Sequence, residues 1–186
     1  MAAASRGTDP RAGAGACIVD RLPIIGYRHW WLMDGQLRSW IAPASGWNLD
    51  GVTEAIHITA LDVAGLQPLP PHQSPGDEPD NCGLYGFKSL WGAEHWITSY
   101  RRIPQRATAA PYSNGVPVPV CGLIVGAGDI CVHGDEGWRA SRAQVLAFGY
   151  SPEPGPELRA VSEQHAIPLI HMSNLERYAD EWGERL

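Results

Sequence analysis

Beyond residue 16 the apolar positions of the chain fall into short runs, most of them with the two-residue period of strands. Cys17 to Gly26 holds apolar stretches broken by Pro23 and Gly26. Tyr27 to Ile41 then reads as a hairpin, with aromatic and strand-favouring residues on both sides of Asp34-Gly35, a strong two-residue turn signal. Alternation puts Tyr27, His29 and Trp31 on one face of its first strand and Arg28, Trp30 and Leu32 on the other. Val52 to Leu61 suits a strand or a short helix. Residues 66–80 carry five prolines (Pro68, Pro70, Pro71, Pro75, Pro79) and can join neither a helix nor a sheet interior. From Gly83 to about Arg102, Leu84, Phe87, Leu90 and Trp91 recur at helical spacing after the capping residues Asp80 and Asn81, so a helix or two short ones are expected.

The second half continues in kind. Val118–Val125 and Asp129–His133 predict two strands, with Gly126-Ala127-Gly128 as a turn or bulge between them, and residues 134–137 form a tight turn. Trp138 to Tyr150 is expected to be strand in its second half. After a Pro-rich link, a short helix (Glu157–His165), a short strand (Ile167–Ile170) and a helix from Ser173 to Gly183 complete the chain. Ser173 and Glu176 suit a capping box, and Leu175, Tyr178, Ala179 and Trp182 form one stripe. The expected class is α+β: a mainly antiparallel sheet or partly closed barrel, with an inserted helix and a C-terminal helix–strand–helix unit. Residues 1–16, rich in Ala and Gly, read as a flexible tail, and residues 17–186 as a single domain.

Composition narrows the function classes. The net charge of -6 argues against gripping a nucleic-acid backbone, which needs clustered cations. The nearest cluster, Arg101, Arg102 and Arg106, suits a helix C-terminus. Without an apolar leader or a membrane-length apolar run, the expected location is the cytoplasm, and the four cysteines are expected to be reduced. Lys88 is the only lysine among 14 basic residues, a bias typical of GC-rich coding.

Two blocks carry a resemblance. Asn81-Cys-Gly-Leu-Tyr-Gly-Phe-Lys-Ser-Leu90 and Val120 to Val145, with Gly128-Asp-Ile-Cys-Val-His-Gly-Asp-Glu-Gly-Trp-Arg-Ala140 at its centre, resemble small proteins of actinobacteria and actinobacteriophages. Those proteins carry a CGIYA-like block and a WGxVxxHxxGxRAxxA-like block. Ala160 to Ile170 is similar to their LAxxYGVP ending. Asp80 stands where many relatives have a first cysteine, which weakens any metal site built on that pair, and Ala127-Gly128 replaces their Trp-Gly. The resemblance implies a phage or actinobacterial source and supplies no mechanism.

Candidate chemistry rests on few residues. Cys82, placed before an expected helix, would have its thiolate favoured by the helix dipole; with His133 at a strand end and Asp135 behind it, a Cys82–His133–Asp135 triad can be drawn. The plainer reading makes Cys82 a packing residue at a tight junction. His72, Cys82, Cys121, Cys131 and His133 include suitable zinc ligands, yet no CxxC or HxxxH spacing occurs, so neither metal nor cofactor is expected. Gly122 to Gly128 lacks the lysine of a phosphate loop.

Eight tryptophans against two phenylalanines are more than one small core readily holds. Adjacent Trp30 and Trp31 must point to opposite faces of their strand. Tyr27, Arg28, Trp30, Arg38, Trp138 and Arg139 are therefore the expected binding patch, unless loops or helices cover the second face. The sequence reading is a non-catalytic intracellular binding module, a phage accessory protein acting on a host factor. It would engage a host or cellular protein or a small ligand, not nucleic acid or membrane. The alternative is a cysteine-dependent hydrolase or transferase using Cys82 and His133.

Overall fold

Asp34 and Gly35 turn the chain with positive φ angles of 50° and 73°, the left-handed pair that suits the twist of a two-residue hairpin. They join β2 (Ile24–Met33) to β3 (Gln36–Ser39) as the sequence predicts. The computed structural model describes residues 17–19, 24–40, 46–55, 83–99 and 117–182. The 1–16 tail, the proline-rich loop, Cys82 and the Arg101, Arg102, Arg106 cluster lie outside the described residues. The remaining elements are β1 (Cys17–Val19), β4 (Thr53–Glu54), β5 (Leu84–Phe87), α1 (Leu90–Ser99), β6 (Val118–His133), β7 (Gly137–Tyr150), α2 (Pro156–His165), β8 (Leu169–His171) and α3 (Met172–Trp182). The class is α+β.

Pairing is antiparallel throughout except for β8, which runs parallel to β7. The long strands β6 and β7 form a hairpin; β2 pairs with the free side of β6, and β5 with the free side of β7. Tyr27 of β2 then pairs with Phe87 of β5, which closes a ring of β2, β6, β7 and β5. Two register shifts on β6, at Leu123/Ile124 and Ala127/Ile130, give the long strands the bend that closure requires.

One side chain fills the middle of that ring. The Trp138 indole is fully buried and donates its N–H to the Ile25 carbonyl at 3.1 Å. Gly26 of β2, Gly86 of β5 and Gly126 of β6 each face it. A Cβ on any of the three would lie 2.4–2.7 Å from the ring at its nearest approach. A four-strand ring is so narrow that a single indole occupies it, and the facing positions cannot carry a side chain.

The core lies on both faces of the sheet. On the inner face Trp30, Leu32, Trp47, Ile124, Trp138 and Phe148 pack with Leu158 and Val161 of α2. On the outer face Ile25, Tyr27, Leu123 and Ala147 pack under Ala93 of α1 and Leu175 and Ala179 of α3. The alternation read along Tyr27–Leu32 is thus the alternation of the two clusters.

Three expectations change. The segment after Gly83 is first a strand: Leu84 and Gly86 turn inward and Tyr85 and Phe87 outward, and the helix begins only at Leu90. The two strands expected over residues 118–133 are one, with the bulge carried by Gly128 at φ 77°. Strand β7 begins at Gly137, because its first half pairs with β5. At the start of α3 it is His171, and not Ser173, that caps: its Nδ1 accepts the Ser173 backbone N–H at 3.3 Å and lies 2.8 Å from the Ser173 hydroxyl. Among the described residues no helix is long and apolar enough to cross a membrane.

Candidate functional site

The expected aromatic patch on β2 is not a surface. Tyr27 and Trp30 have no exposed area, and Trp138 is the plug of the ring. The reason is the double coverage of the sheet: α1 and α3 cover the Tyr27 face, while the ring interior and α2 cover the Trp30 face. Trp30 stands edge-on to Trp47 and Phe148, with ring centroids 5.3 and 6.5 Å apart. Trp31 stacks on Trp40 at 3.8 Å, and both are buried.

The cations of the expected patch are also engaged. Arg28 turns inward; it donates to the Tyr85 carbonyl and to Ser39 Oγ, and its guanidinium lies 4.6 Å above the Trp47 ring. Burial lowers it to about 9, so it stays charged at neutral pH, held by neutral partners and an aromatic face. Arg38, half-buried, donates to Gln36 Oε1 at 2.7 Å. Arg139 stands 5.7 Å over the Tyr85 ring. On the opposite face from Arg28, burial and then the Arg28 charge push His29 down to about 4.

No family model, no curated protein and no solved structure matches the chain.

Among the described residues three large apolar side chains reach solvent: Val52, in the loop before β4, and the helical Trp91 and Trp182. Trp91 is 72% exposed and Trp182 52% exposed, whereas Trp30, Trp31, Trp40, Trp47 and Trp138 are buried. Trp91 opens α1, and its indole stacks nearly flat on His95 one turn later, with centroids 4.9 Å apart and planes 10° apart. Trp182 ends α3 beside the half-buried Tyr178, 6.1 Å away. Leu90 and Ala93 on one helix and Leu175 and Ala179 on the other point into the same outer cluster, so α1 and α3 belong to one layer. A cleft of about 300 Å³ runs between β8 and α3, lined by Tyr150, Ile170, His171, Asn174, Arg177 and Tyr178 among others.

Sequence reasoning placed Trp91 on an inward stripe with Leu84, Phe87 and Leu90, because it extended the helix back through β5. The signal it left unused is the Trp91/His95 pair, four residues apart on a segment whose small residue, Ala93, seeks the core.

Of the drawn triad, His133 and Asp135 are described and Cys82 is not. His133 ends β6 opposite Gly137, next to Tyr85 at 6.2 Å. Burial and the Arg139 charge hold its imidazole below the usual value, against a smaller opposing pull from Glu136, and its Nε2 is sealed without a hydrogen-bond partner. Asp135 is exposed in the turn. In register, Gly137 meets Phe87, while Leu84 at the start of β5 meets Ala140. The length of β5, roughly 10 Å, therefore separates the beginning of that strand from the His133 end. The segment after Cys82 is a strand, so the dipole argument for its thiolate has no helix to rest on. Among the described residues no three His, Cys, Asp or Glu side chains are grouped to hold a metal ion.

Proposed function

We propose that this chain is a non-catalytic binding module that engages a host or cellular protein through the outward faces of α1 and α3. The observation that carries the reading is Trp91: a large indole left in water at the start of a helix, stacked on His95 one turn later. An exposed indole with only two side-chain torsions to order can bury a large area on binding, which is how interface anchors act. Trp182 with Tyr178 supplies a second anchor in the same layer. The acidic net charge favours a protein over nucleic acid as the partner. The resemblance of the two sequence blocks to actinobacteriophage proteins directs the proposal to an accessory role in the cytoplasm, with a host factor as target.

The test is a capture from host lysate with wild-type protein and with the double variant Trp91→Ala/Trp182→Ala, followed by affinity measurement on the partner recovered. The double variant is expected to fold as the wild type, since both side chains are solvated, and to bind at least about tenfold more weakly. Equal affinity of the two proteins for the same partner defeats the proposal. A Cys82→Ala variant is expected to bind undiminished, and loss of effect there would favour the cysteine-dependent reading.

A further inference from the structure

We propose that the cleft between β8 and α3 is a binding site for a free α-amino acid with an apolar side chain. The inference rests on the lining of that cleft, which adjoins the proposed partner face at Tyr178. The cleft measures about 300 Å³, the lower end of the range of small-molecule sites. Asn174, Arg177, Tyr178 and Glu181 make its helical wall; they are the i, i+3, i+4, i+7 stripe of α3, while Leu175 and Ala179 hold the other side of the helix to the outer core. The opposite wall comes from Tyr150 at the end of β7 and from Ile170 and His171 of β8. Parallel register sets Tyr150 beside His171, and their rings stand edge-to-face with centroids 5.4 Å apart.

Two opposite charges line this cleft without being spent on each other. Arg177 and Glu181 stand one turn apart, with the cation on the N-terminal side, the order that favours a pair less. Neither has an ion-pair or hydrogen-bond partner among the described residues. Beside Arg177, Asn174 supplies amide donors, and His171 supplies one more. The His171 Nδ1 accepts the Ser173 backbone N–H at 3.3 Å, so the proton of the neutral ring sits on Nε2, the nitrogen left to donate. A guanidinium flanked by two neutral donors suits a carboxylate. Glu181, which only accepts, suits an ammonium group. An α-amino acid carries both groups on one carbon, and residues four apart on a helix have their Cβ atoms only about 5–6 Å apart, within reach of both. A plain acid leaves Glu181 unmatched, and a plain amine leaves Arg177 unmatched. The half-buried Tyr150, Tyr178 and Ile170 offer rings and an aliphatic surface to the ligand's side chain.

The experiment titrates the full chain, labelled with nitrogen-15, with phenylalanine, leucine, 3-phenylpropionate and 2-phenylethylamine, and follows amide shifts. The expected result is saturable shifts with both amino acids, confined to residues 150, 169–171 and 174–181, and binding of phenylalanine at least about tenfold tighter than that of either one-ended analogue. Both charged side chains are exposed, so their variants keep the fold. Arg177→Gln is expected to weaken phenylalanine at least about tenfold, and Glu181→Gln to remove the preference for phenylalanine over 3-phenylpropionate. Three results would each overturn the proposal: no saturable shift with either amino acid, equal affinity of the wild type for phenylalanine and 3-phenylpropionate, or shifts that centre outside the cleft.

Discussion

Side by side on β2, Arg28 and His29 turn to opposite faces of one sheet, and each pays for burial in its own way. Arg28 keeps its charge by lying over Trp47 and donating to a carbonyl and a hydroxyl. His29, edge-on to Trp40 at 6.4 Å, keeps its place by staying neutral. That has a consequence for stability. In the unfolded chain His29 takes up a proton near its ordinary value of 6.5; in the folded chain it does so only near 4. Between those values the unfolded state binds more protons, so stability falls as pH drops from about 6.5 to about 4, while above 6.5 this residue has no effect on the slope. The full difference corresponds to about 3 kcal/mol. A His29→Phe variant lacks this component. Its stability relative to wild type, followed by urea unfolding across that window, is expected to improve steadily toward acid. Parallel curves for the two proteins would show that His29 titrates normally in the folded chain.

Among the elements, the β2–β6–β7–β5 ring ties sequence to structure most tightly, through glycines that serve space and not flexibility. Gly126→Ala would set a methyl group 2.4 Å from the Trp138 ring, which is hemmed in by Gly26 and Gly86 and has nowhere to retreat. Gly149→Ala would meet the Met172 sulfur first, also at 2.4 Å, but a thioether at the end of a flexible side chain can move away. Thermal unfolding is therefore expected to show a loss of about 1–3 kcal/mol or more for Gly126→Ala and a clearly smaller one for Gly149→Ala. Equal losses would mean that the ring is not close-packed around the indole. The same contacts explain what was legible in the chain. The Asp34-Gly35 hairpin and the C-terminal helix–strand–helix unit are written in local turn and periodicity signals, and both form. Strand β5 was hidden because Gly83 and Gly86 read locally as breaks in a weak helix; the need for glycine at 86 comes from Trp138, distant in sequence. Likewise Gly128 marks a bulge within β6, which continues because β1 and β7 pair with it beyond that point.

At the scale of the whole molecule, helices on the outside and a filled ring on the inside dispose of both faces of β2, so the aromatic wealth of the strands becomes core. The α+β class and a mainly antiparallel sheet could be read from the sequence; whether that sheet stays open or closes into a barrel could not, because closure rests on the distant pairing of Tyr27 with Phe87. The exposed face was misread: β2 is an almost continuous apolar run, the mark of a strand covered on both faces, but Arg28 among its aromatics also fits a binding patch. Among the described residues the exposed tryptophans lie on α1 and α3, where Trp91 and Trp182 stand in water and are left for a partner. Covalent footprinting of tryptophan by mass spectrometry, on the free protein and on its complex, tests this division most directly. The account predicts strong labelling of Trp91 and Trp182 in the free chain, protection of both when the partner is bound, and little labelling of Trp30, Trp31 and Trp138 in either state. Ready modification of Trp30 or Trp138 in the free protein, or a complex in which Trp91 and Trp182 stay as reactive as before, would contradict it.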